Sequence, residues 1–117
     1  MEMLSIIQGF YFLLTGVWPL VSIRTFQMVT GPKTDLWLVK TVGALIAVIG
    51  GILIMAGFRG NVSPEIFLLA VASAFALTIV DINYVSKGTI SRIYLVDAAA
   101  EVVLIGLWLI CMFKEFE

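Results

Sequence analysis

Histidine is absent from this chain, cysteine occurs once, and Asp, Glu, Lys and Arg together make up 13% of its 117 residues. Each shortage removes a class of function. Without histidine the chain lacks the commonest general base, the commonest zinc ligand and the usual switch near neutral pH. The lone Cys111 excludes an intramolecular disulfide and any CxxC pair. A net charge of −1 leaves no basic footprint for nucleic acid. A soluble domain carries roughly a quarter charged residues, so too few polar side chains exist here to coat a surface in water.

What the chain does have is apolar length. It is 62% hydrophobic, with mean hydropathy +1.12. A helix needs about 20 residues to cross a hydrocarbon core of ~30 Å, and four segments qualify: residues 4–23, 35–58, 64–85 and 92–113. The connections between them are short. The expected fold is therefore an all-α membrane protein, a single domain over residues 1–117 forming a bundle of four transmembrane helices. The first segment opens on Glu2 rather than a basic stretch and runs into Trp18-Pro19-Leu20 rather than a small-residue cleavage site, so it reads as a first helix and not a signal peptide.

Local chemistry supports the helix starts. Ser63-Pro64-Glu65 supplies an N-cap, a proline at the first helical position and an acid in the first turn. Thr34-Asp35 does the same more weakly, and Thr89 or Ser91 can cap the fourth span. Pro19, late in the first span, is expected to kink it. Arg24, Lys33, Lys40, Lys87 and Arg92 fall at the first and third connections, against Arg59 and Lys114 at the other side. That bias places connections one and three in the cytoplasm and both termini outside.

Helices in lipid pack through small residues. Span two has Gly43, Ala47 and Gly51 at intervals of four, with Gly50 beside them; span three has Ala70, Ala74 and Thr78; span four has Ala98, Ala99, Ala100 and Gly106. These stripes run into charges. Lys40 lies one turn before Gly43, Asp81 three residues after Thr78, and Asp97 and Glu101 share one face four residues apart, extended by Tyr94 and Trp108. On span one, Gln8, Tyr11 or Phe12, and Thr15 form a polar stripe expected to look inward. Glu101 lies roughly 12–14 Å from the start of its helix, where an unpaired charge costs about 2.5–3.5 kcal/mol at most.

The candidate binding residues are therefore Lys40, Asp81, Asp97, Glu101, Tyr94 and Gln8. Three acids face one nearby base, so a proton or a cationic ligand must make up the missing charge. Tyr84 and Tyr94 are the expected hydrogen-bond donors. Trp18, Trp37 and Tyr84 read most simply as interfacial aromatics, and Cys111 as an apolar filler.

Residues 26–43 (FQMVTGPKTDLWLVKTVG), with 16–20 (GVWPL) and 94–98 (YLVDA), resemble a family of small bacterial four-helix inner-membrane proteins that carries no assigned activity. The resemblance covers most of the chain. It implies a bacterial inner-membrane location and four helices, and transfers no catalytic residue. Better-known small families fail at their defining positions. Span one lacks the glutamate of small multidrug-resistance transporters. The arginine motif of fluoride channels and the paired cysteines of vitamin K epoxide reductase are also missing.

The leading functional expectation is a ligand-binding or transporter-like bundle with its charge cluster near the cytoplasmic face. It would hold a proton or a small cationic or amphipathic ligand, and would work as a homodimer because four helices enclose little volume. The alternatives are a structural or accessory subunit packed against a membrane partner and, ranked last, an intramembrane enzyme acting on a lipid or isoprenoid through an Asp/Glu pair. No catalytic, metal or cofactor-binding residue is assigned.

Overall fold

The four expected spans form long helices, and a fifth, short helix fills the first connection. A computed structural model describes residues 1–31, 35–88 and 90–115. Its helices are α1 Glu2–Val21, α2 Ile23–Thr30, α3 Leu36–Phe58, α4 Pro64–Ser86 and α5 Tyr94–Glu115. All but α2 are long and apolar enough to cross a membrane. Large apolar side chains such as Leu14, Phe58, Leu68 and Val96 stand exposed, as positions facing lipid would.

Helix ends follow the local sequence. Ser63 caps α4, its side chain accepting from the Ile66 N–H at 3.3 Å, with Pro64 leading the helix. Ser91 accepts from the Ile93 N–H at 3.4 Å just before α5. Asp35 occupies the N-cap of α3 without a side-chain cap bond; the expected caps Thr34 and Thr89 lie outside the described residues. Pro19 sits inside α1, which ends two residues later.

The break between α1 and α2 falls at Ser22, whose backbone leaves the helical region at φ −146°, ψ 85°. Its hydroxyl accepts from both the N–H and the hydroxyl of Thr25, so Ser22 ends one helix and caps the next. Trp18 donates its indole N–H to the Thr25 hydroxyl at 3.0 Å, tying α2 back onto α1. At its other end α2 stops at Gly31, whose φ of +98° suits glycine.

The long helices form two antiparallel pairs, α1 with α3 and α4 with α5, and between the pairs the backbones come close in few places. Glycines let α1 and α3 touch backbone to backbone. A Cβ on Gly9 would lie 2.7 Å from the Gly50 carbonyl oxygen, one on Gly50 2.5 Å from that of Gly9, and one on Gly57 2.8 Å from that of Glu2. Gly16 and Gly43 oppose each other in the same way. The contact residues thus recur every seven positions, at 9 and 16 on one helix and at 43, 50 and 57 on the other. This corrects the interval-of-four reading of α3: Ala47 meets Gly16, but Gly51 has nothing within 4 Å. Two helices that stay in contact over several turns favour a 3.5-residue period over a 3.6-residue one.

The pairs are joined by polar side chains. Gln8 of α1 donates to the Ala70 carbonyl of α4 at 2.9 Å and accepts from the Trp108 indole of α5 at 2.7 Å. One turn earlier, Ser5 donates to the Leu53 carbonyl at 2.6 Å. Trp108 and Phe67 meet edge to face, 5.7 Å between centroids, among Leu4, Leu53 and Ala70. This closed core sits at the end of the bundle that holds the α3–α4 connection, and half-buried Cys111 packs against it.

Candidate functional site

At the opposite end, where α1 finishes and α5 begins, the two pairs diverge around a cavity of about 560 Å³. Every helix contributes to its wall. The lining is almost wholly apolar, including Phe12, Trp18, Phe26, Val42, Ile46 and Leu77. Its rim includes Val29 and Val96, 50% and 65% exposed, so it reaches the molecular surface.

Three carboxyl groups break this apolar surface: Asp81 on α4, and Asp97 and Glu101 on α5. The α4 stripe that carries Asp81 is buried throughout, from Ala70 through Ala74 and Thr78. Asp97 lies in the first turn of α5 and Glu101 one turn deeper. The Asp97 carboxyl group neighbours those of Asp81 and Glu101 in this wall. Such carboxyl pairs bond only when a proton sits between them, since two ionised carboxylates are both acceptors.

Among the described residues, one tyrosine donates to these acids. Tyr11 of α1 donates its hydroxyl proton to Asp97 Oδ1. Glu101 is 0% exposed, yet among the described residues neither Oε1 nor Oε2 has a hydrogen-bond partner, and Asp81, 4% exposed, leaves Oδ2 unpartnered. Leaving a buried acceptor unpaired costs ~1–3 kcal/mol, and more if it is charged. In a low-dielectric site three mutually close negative charges without a counter-charge are strongly unfavourable.

The expected counter-charge is not in the cavity. Lys40 is exposed and does not line it. Among the described residues no ion pair links Lys40, Arg24 or Arg92 to these acids; Lys33 lies outside the described residues. Placing Lys40 with the cluster is therefore corrected. Lys40 and Gly43 are three positions apart, about 60° of helix rotation short of a full turn. That offset lets Val39, Val42 and Gly43 face the cavity while the amine turns to the surface.

Gln8 is also displaced from its expected role. It is fully buried, but its amide is spent on Ala70 and Trp108 beneath the cavity. Tyr94 does line the cavity, as does Thr30 of α2. Tyr84, the other expected donor, is 41% exposed and lies under the Lys87 amine, 5.8 Å from its ring centroid.

Apolar periodicity along the chain misses α2 altogether. Phe26 and Thr30, one helical turn apart, are its buried residues, and both face the cavity. Phe26 packs edge-on against Trp18, 5.3 Å between centroids, so Trp18 belongs to the cavity wall. The Ser22-Thr25 cap and the four-residue spacing of Phe26 and Thr30 are the signals that point to this helix. The residues named here that line this volume all belong to one chain.

Among the described residues no three His, Cys, Asp or Glu side chains are arranged to hold a metal ion. Comparison with protein families, with curated proteins and with solved structures gives no match.

Proposed function

We propose that this chain is a small multi-pass membrane protein that holds a positively charged small molecule in its acid-lined cavity, as a binding or transport module. The observation that carries this reading is Glu101: a fully buried carboxyl group at the cavity wall, both of whose oxygens lack a partner among the described residues. Ionisable groups inside a membrane are costly and are retained chiefly where they work. Here the wall supplies negative charge and acceptors, and an occupant would supply the positive charge and donors.

The excess of Lys and Arg around the first and third connections supports placing the cavity end at the cytoplasmic face, with both termini outside. A bacterial inner membrane is the location that fits the sequence resemblance. The surface-reaching rim at α2 and α5 offers a route of entry from the headgroup region.

Uptake into proteoliposomes tests the reading. Liposomes acidified inside are mixed with radiolabelled organic and inorganic monovalent cations, with and without the protein. Protein-dependent accumulation of a cation that disappears in Glu101→Gln supports it. Accumulation unchanged by Glu101→Gln, together with unchanged equilibrium binding, refutes it.

A further inference from the structure

Building on that reading, we propose that the occupant is a lipophilic amine: a primary or secondary ammonium group carried on an apolar, partly aromatic body. The two parts of the cavity argue for the two parts of the molecule. The acids present unpartnered oxygens on Glu101 and Asp81, and an ammonium group offers both positive charge and N–H donors. A quaternary ammonium would bring the charge and leave those oxygens without donors. Phe12, Tyr11 and Tyr94 line the same region, and aromatic faces attract a cation.

The rest of the wall excludes a small hydrated ion as the best occupant. Phe26, Val42, Ile46 and Leu77 replace none of the water ligands such an ion would lose on entry. Hard divalent ions want six or more oxygen ligands, and the described acids form no three-residue metal site. A cavity of about 560 Å³ falls in the range that buries drug-sized organic molecules. Burying an apolar body there gains free energy in proportion to its area only if the body leaves water, so amines of moderate hydrophobicity bind best.

The test uses the full chain in lipid nanodiscs and equilibrium dialysis, with empty discs subtracted. Three probes separate the parts: 4-phenylbutylamine, its alcohol analogue 4-phenylbutan-1-ol, and methylammonium, which has the charge without the body. Two variants accompany wild type, Glu101→Gln and the cavity-filling Ile46→Trp, each checked for helix content and melting. The expected result is saturable binding of 4-phenylbutylamine, about ten- to a hundredfold tighter than either other probe. It should weaken by a similar factor in Glu101→Gln and also in Ile46→Trp. If methylammonium binds as well as the amine and both are lost in Glu101→Gln, the lipophilic body is refuted while the cation-binding function stands. If alcohol and amine bind alike and Glu101→Gln changes neither, both the inference and the parent function fall. If no probe binds, the inference fails and the proteoliposome assay alone decides the function.

Discussion

At the end of the bundle that holds the α3–α4 connection, Ser5 and Gln8 are buried polar side chains with partners on other helices. Ser5 reaches the Leu53 carbonyl, and Gln8 bridges Ala70 and Trp108. At the other end, Glu101 is equally buried and neither of its oxygens has a partner, while Asp81 leaves one free. Both ends lie on the same helices and are packed by the same kinds of small residue. The difference is what the polar atoms are used for. Gln8 is satisfied within the chain and so stabilises it. Glu101 meets no donor among the described residues, which is the character of a binding site.

That contrast can be broken most forcefully at the glycines both ends depend on. Gly16→Leu puts a side chain against the Gly43 carbonyl and the Ala47 backbone, and the α1–α3 pair cannot close over it. A loss of about 3 kcal/mol or more is expected, the upper part of the overpacking range, read as the midpoint shift in denaturant titration in mild detergent. Gly51→Leu, on a position with nothing within 4 Å, should leave that midpoint where it was. A large shift for Gly51→Leu would mean that this face is occupied.

The next effect separates the two ends directly. Gln8→Leu strands the Trp108 N–H and should destabilise by about 1–2 kcal/mol, with a matching red shift in tryptophan emission if water reaches the ring. Glu101→Gln is expected to carry the opposite sign, holding or raising stability by about 1 kcal/mol without ligand, because it deletes an ionisable group that no described residue pairs. Both are measured by the same unfolding titration. Should Glu101→Gln lose as much stability as Gln8→Leu, the carboxyl group is structural and the contrast collapses.

Tyr11→Phe removes the hydroxyl that donates to Asp97. A cost of about 1 kcal/mol is expected in the unoccupied protein, with weaker binding of an amine whose partner Asp97 is no longer oriented. The smallest expected change belongs to Lys40→Gln, since Lys40 is exposed and outside the cavity wall. Neither unfolding nor amine binding should move measurably; a clear loss in either would return Lys40 to the charge cluster.

Much of the site is legible in residue spacing. Ala70, Ala74, Thr78 and Asp81 follow a helical repeat with no interruption, and so do Tyr94, Asp97 and Glu101, so the faces can be read wherever one helix runs unbroken. Spacing misplaces Lys40 because a long side chain near a helix end can follow either neighbouring row. Hydration favours keeping its charged amine at the surface, which a repeat does not record. For Gln8 spacing gives the inward direction but not the role, because pointing inward does not say whether a carbonyl or a void lies opposite. The helix α2 escapes notice because an eight-residue segment carries too few periodic positions to stand out. Its buried pair, Phe26 and Thr30, has meaning only against Trp18 and Tyr94.

By itself the sequence determined the number of long helices, their apolar character and which face of α4 and of α5 is polar. Those properties depend on transfer free energies and on residues a few positions apart, both local. The tertiary structure decided that α1 and α3 close on a seven-residue glycine repeat and that Gln8 is spent on the core. It also decided that Lys40 stays outside and that α2 completes a chamber around the three acids. Each of those depends on what an atom meets on a helix distant in sequence, and no spacing along one chain carries that information.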